Sequence, residues 1–131
     1  MADKRIVEEW LYTADQDFGF ANSSLEDLET TYFGFICFHF QQSAEKYLKS
    51  YIVAKGLRFV KIHDLDALRK ICQAVDPVFE KIKDECIYLS DFYLESRYPP
   101  MIPSGLSRQE SNMAKEAANK IGQMVRNSLK L

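Results

Sequence analysis

Apolar residues recur at intervals of three and four along the whole chain, which is the spacing of amphipathic helices. Val7, Trp10, Leu11, Ala14, Phe18 and Ala21 share one face of a helix predicted from about Ile6 to Ser23, with Glu8, Glu9, Asp15 and Asp17 off that face. The longest run extends from about Thr31 to Lys55, and Gly56 is placed to terminate it. Phe33, Phe40, Ala44, Tyr47 and Tyr51 form its stripe, widened by Ile36, Cys37, Leu48 and Ile52. The aromatic start of this run, Tyr32, Phe33, Phe35, Phe38 and Phe40, would suit a strand taken alone. Its length and unbroken spacing up to Gly56 decide for helix.

Cap residues divide the remainder. Asp64 is a suitable N-cap for a short third helix with Leu65, Leu68, Ile71, Cys72 and Val75 facing inward. Asp76-Pro77 reads as an N-cap followed by proline at the first helical position, opening a fourth helix through Phe79, Ile82, Cys86, Leu89 and Tyr93. The stretch 97–105 contains Pro99, Pro100 and Pro103 and cannot continue a helix. Ser107-Arg108-Gln109-Glu110 matches a capping box, and the helix it opens carries Met113, Ala117, Ile121, Met124, Val125 and Leu129. Nothing reads as a strand. The expected fold is all-α: an antiparallel, up-down bundle of four long helices with one additional short helix, formed by a single domain over residues 1–131.

Composition changes this picture little. With 131 residues, 47% hydrophobic and 27% charged, the chain suits one soluble globular domain. A formal charge of -2 argues against a generic polyanion binder, although it leaves room for a local basic patch. Cys37, Cys72 and Cys86 lie within apolar stripes and lack paired metal-type spacing, so they read as buried free thiols in a reducing compartment. The first residues lack a signal core and no apolar run approaches membrane-spanning length, which makes the expected location cytoplasmic.

Three groups of residues could carry chemistry. His39, Gln42, Lys46 and Lys49 project from one side of the second helix, either as an anion or nucleotide contact or as a solvated face. His63, beside the cap Asp64, could bind phosphate or act in acid–base work, or it could brace the entry to the third helix. It has no partner at metal-ligand spacing, so no metal site is expected. Arg97, followed by Tyr98 and two prolines, holds a planar five-donor cation in a restricted loop suited to phosphate or carboxylate; equally, it could cap its own helix or pair with Glu95. Glycine-rich phosphate loops, nucleophile elbows and metal-binding histidine helices are absent, and no cofactor is expected. Tyr32, Phe35 and Phe38 lie off the main core stripe, which makes them candidates for an interface between copies; a wide stripe packed within one chain is the alternative.

In order and spacing, Phe38-His39-Phe40-Gln41-Gln42-Ser43-Ala44-Glu45-Lys46-Tyr47-Leu48-Lys49, then Gly56, His63-Asp64-Leu65 with Leu68, and Arg97-Tyr98-Pro99 resemble the HEPN domain, as do Trp10 and Ala14. The branch it resembles carries a QQ-A-EK-LK helix, an HDL turn and a YP loop after arginine. The resemblance spans nearly the whole chain. It implies a helical bundle that forms a homodimer, often paired with a minimal nucleotidyltransferase as a toxin–antitoxin system. Many members are metal-independent endoribonucleases that use an arginine, then four to six intervening residues, then a histidine.

This chain has no histidine in that position after Arg97. Arg58 and His63 satisfy the spacing, but in the connection after the second helix rather than late in the bundle. The function expected from the sequence is therefore a dimeric protein that binds nucleotide or RNA, a partner nucleotidyltransferase, or both, without the usual nuclease motif. The alternative is a metal-independent endoribonuclease using His63 or His39 with Arg97 or Arg58. A third possibility is a subunit that holds a nucleotidyltransferase through an apolar helix face and has no ligand of its own.

Overall fold

The structure, a computed structural model, describes residues 3–94 and 105–131. These contain five α-helices and one 3-10 segment: α1 (Lys4–Glu26), α2 (Phe33–Ala54), α3 (Leu65–Gln73), the 3-10 segment (Pro77–Ile82), α4 (Lys83–Ser90) and α5 (Arg108–Leu129). The described residues contain no strand.

The helix starts follow the caps in the sequence. Asp64 accepts from the amides of Asp66 and Ala67 at 2.9 and 3.2 Å, and Asp76 accepts from Val78 at 3.0 Å. Ser107 and Glu110 form a complete capping box. Gly56 adopts a φ of 65° just past α2, the left-handed conformation a glycine takes without steric cost.

Pairings between side chains define the topology. Phe18 meets Phe40, and Asp15 meets Tyr47, so α1 and α2 run antiparallel. Tyr51 packs on Phe79 and Phe38 lies near Tyr93, which sets the chain through α4 antiparallel to α2. Cys37 lies 3.5 Å from Ser111, and Gly122 faces Tyr47, so α2 and α5 run parallel. They are the second and fourth long elements of an up-down bundle, hence parallel, and they pack extensively. This contact is close because position 122 is glycine: a Cβ there would lie 2.8 Å from the Tyr47 ring. Arg108 closes the far end by donating to the carbonyls of Leu25 and Asp27 at 2.5 and 3.1 Å, thereby capping the last turn of α1.

The central position of α2 explains its composition. It packs against α1, α3, α4 and α5, and Phe40, Leu48, Tyr51 and Ile52 are buried with Leu68, Phe79, Ile82 and Ile121. The three cysteines are buried free thiols, and burial pushes the Cys72 thiol up to about 12.

Several finer expectations differ from the structure. The fourth helix is not continuous from Asp76, because its first six residues, Pro77–Ile82, are 3-10 and its α-helical part ends at Ser90, before Tyr93. Val75 is exposed because α3 ends at Gln73, and Met113 is exposed although it lies on the helical period of α5.

Candidate functional site

Two carboxylates organise the polar residues on and around α2. Asp17, on α1, lies 3.1 Å from His39 Nδ1 and 2.5 Å from Lys46 Nζ. Positions 39 and 46 are seven residues apart, two helical turns, so both point to the same stretch of α1. Burial works to raise the Asp17 pKa, but the hydrogen bonds and charges of His39 and Lys46 outweigh it and hold the carboxyl below its ordinary range.

Glu45, on α2 itself, accepts from Lys49 Nζ at 2.9 Å and from Gln41 Nε2 at 3.3 Å, and it lies 3.0 Å from His63 Nδ1. Gln41 also reaches the His63 carbonyl at 3.3 Å, and Gln42 donates to Gln41 at 2.7 Å. Each carboxylate thus bridges one lysine and the Nδ1 of one histidine. A carboxylate only accepts, so Nδ1 carries the proton and a neutral ring presents Nε2 as an acceptor.

The two triplets differ in exposure. Glu45 and Lys49 are 5% and 6% exposed at their side chains, whereas His63 is 44% exposed. Asp17, Lys46 and His39 have intermediate values of 15%, 23% and 28%. Aromatic rings connect the histidines. His63 stacks on the buried Tyr93 at 4.1 Å with an interplanar angle of 15°, Tyr93 neighbours Phe38, and Phe38 contacts His39 edge-on at 5.3 Å. Phe20 of α1 contacts His39 at 4.8 Å.

His39, Gln42, Lys46, Lys49 and His63 are therefore brought into one connected region. Arg97 and Tyr98 lie outside the described residues. The stripe is not simply a solvated face, because both its lysines are ion-paired and Lys49 is buried. Sequence reasoning misses both carboxylates. The signal for Glu45 is its four-residue spacing from Gln41 and Lys49; Asp17 gives none, because its partners lie across a helix–helix contact. Tyr32 and Phe35 are 68% and 43% exposed, while Phe38 is half-buried under its ring neighbours.

A second polar cluster lies at the α5 side of α2. Tyr47 donates its hydroxyl to Asp15, and Arg126 lies 2.6 Å from Asp15 and 5.3 Å from the Tyr47 ring centre. Burial, then the Asp15 contact, pushes the Tyr47 phenol up to about 12, so it remains a donor. Among the described residues, no group of three or more His, Cys, Asp or Glu side chains is placed to hold a metal ion. None of the described helices is long and apolar enough to cross a membrane.

Comparisons with known proteins agree on the architecture. Residues 7–128 match the family model of the HEPN domain. The crystal structure of TT1696 from Thermus thermophilus is 27% identical with a TM-score of 0.79, covering 92% of this chain and 96% of that one. The crystal structure of ST0689, described as an archaeal HEPN homologue, has a TM-score of 0.74 at 24% identity, covering 93% and 96% of the respective chains. No curated protein sequence matches the chain.

Proposed function

The chain belongs to the HEPN domain family, and on that premise we propose that it is a cytoplasmic, homodimeric binding protein for nucleotide or RNA. The observation that carries this reading is the half-exposed His63 ring, stacked on Tyr93 and tethered at Nδ1 to the buried Glu45–Lys49 pair. A ring held on one face and at one nitrogen loses little freedom on binding, and it offers Nε2 to a phosphate or base edge. Gln42 joins the half-buried margin of the same network through Gln41, and Lys49 anchors Glu45, while His39 and Lys46 are held by Asp17 in the neighbouring triplet. Arg97 and Tyr98 follow Tyr93 by four and five residues in the sequence.

Exposed Tyr32 and Phe35 support an interface between copies at the start of α2, beside the half-buried Phe38. A minimal nucleotidyltransferase is the protein partner we assign, in a toxin–antitoxin-type pair. Calorimetric titration with a nucleoside monophosphate tests the ligand: saturable binding lost in His63→Ala supports the reading, and equal binding by both proteins removes His63 from it. Light scattering tests the dimer, which Tyr32→Ser/Phe35→Ser should dissociate. Co-purification with a co-expressed minimal nucleotidyltransferase tests the partner.

One observation favours the endoribonuclease reading. A carboxylate on Nδ1 orients an imidazole so that Nε2 can take a proton, the arrangement required of a general base toward a ribose 2′-hydroxyl. RNA cleavage in the presence of a chelator, abolished by His63→Ala and by Arg97→Ala, would make this the function. Intact RNA with wild-type protein leaves the binding protein.

A further inference from the structure

A groove of about 380 Å³ opens between α4 and α5 and has no part in either triplet. On α5 it is lined by Met113, Glu116, Ala117 and Lys120, whose spacing places them on one helix face. On α4 it meets Asp84, Glu85 and Tyr88. Two contacts tie its walls together: Lys120 pairs with Glu85 at 3.1 Å, and the Tyr88 hydroxyl donates to the Glu110 carbonyl at 3.1 Å. Glu110 to Lys120 spans about 15 Å of helix, so the walls are fixed over nearly three turns.

Met113 is 46% exposed, and Ile87, three positions after Asp84 on α4, is 48% exposed. An apolar strip is thus left open beside charged groups that are mostly acidic. Lys120 is neutralised by Glu85, whereas Asp84 and Glu116 are exposed and form no ion pair among the described residues. Lys83, next to Asp84 in the chain, lines a different recess with Arg69 and Lys70.

Charge selects the occupant. A nucleic acid or an anionic lipid surface would meet two unneutralised carboxylates. A second copy related by a two-fold axis would set this acidic lining against itself. A neutral apolar molecule would strip water from Asp84 and Glu116 without supplying partners. A basic amphipathic helix satisfies both parts of the groove. Its apolar side chains at i, i+3, i+4 and i+7 meet Met113, Ala117 and Tyr88, and its flanking lysines or arginines meet Asp84 and Glu116.

We propose that the groove between α4 and α5 docks a basic amphipathic helix of a partner protein. The surface includes neither His63 nor Tyr32 and Phe35, and its test uses no nucleotidyltransferase, so its failure leaves the preceding reading untouched.

Fluorescence anisotropy with a labelled peptide of about 15 residues tests the surface, the peptide carrying leucines at i, i+3, i+4 and i+7 flanked by lysines. Saturable binding is expected, and it should vanish when glutamates replace the lysines. Asp84→Asn/Glu116→Gln should weaken the peptide about three- to tenfold near 0.1 M salt, a difference that shrinks at about 0.5 M. Met113→Ser should weaken it about tenfold, at a position exposed enough to spare the fold. In methyl NMR of the wild-type protein, the Met113 signal, assigned by that variant, should shift as peptide is added. Absence of binding, equal binding of the glutamate peptide, or binding that leaves the Met113 methyl still would overturn the proposal. A smaller particle in light scattering for Met113→Ser/Ile87→Ser would assign the face to a second copy and overturn it as well.

Discussion

Asp17 and Glu45 each hold one lysine and one histidine, yet the two triplets place their histidines differently. The Glu45–Lys49 pair is buried, and its histidine is the half-exposed outer member, joined from a different segment of the chain. In the Asp17 triplet all three groups are similarly half-buried, and the carboxylate reaches from α1 to two residues of α2. The first arrangement fixes a ring at the surface on a rigid base; the second fastens one helix to another. A carboxylate, a lysine and a histidine thus serve presentation or attachment, according to which member faces water.

Glu45→Ala should show the largest effect. It leaves Lys49 buried without its counter-charge and Gln41 short of an acceptor, so urea unfolding should report a loss of about 3–5 kcal/mol. Glu45→Leu/Lys49→Met should recover much of this loss while still releasing His63. A cost below about 1 kcal/mol for the single change would show that the pair is not a buried anchor.

Asp17→Asn should cost about 2 kcal/mol, because it weakens two hydrogen bonds between charged partners. The folded Asp17 carboxyl lies below its ordinary value of 3.8, so its contribution is complete above that value and disappears as the pH falls through the lower folded one. Stability measured between about pH 6 and pH 2 should therefore fall less steeply in Asp17→Asn than in wild type. An unchanged acid limb would contradict the attachment role.

Gly122→Ala leaves both triplets in place and disturbs the other side of α2. Its Cβ must displace the Tyr47 ring and loosen the hydroxyl from Asp15, at a cost of about 1–3 kcal/mol in thermal or urea unfolding. Nucleotide binding should survive, separating helix packing from ligand contact. His63→Ala reverses that pattern, with a stability change of about 1 kcal/mol or less and loss of binding.

Helices and caps are legible in the sequence because they depend on neighbours in the chain: Asp64, Asp76 and the Ser107–Glu110 box do what their positions imply. Burial is less legible at helix ends. Val75 follows the period of α3, but the helix stops before it. The histidines and lysines of the site are visible as residue types, whereas their state is not. Whether Lys46 is solvated or paired depends on Asp17, which sits 29 positions away on another helix and looks like a surface acid. Tyr93 falls on the core stripe by its spacing, yet it lies past the end of α4 at Ser90 and stacks on His63. The Arg97 loop lies outside the described residues.

The chain has 2 histidines, one in each triplet, so imidazole NMR resolves the comparison directly. Ring resonances recorded while a nucleoside monophosphate is added, with His63→Ala supplying the assignment, should show His63 shifting saturably and His39 nearly still. Movement of His39 with His63 unchanged, or no movement of either ring, would contradict the account.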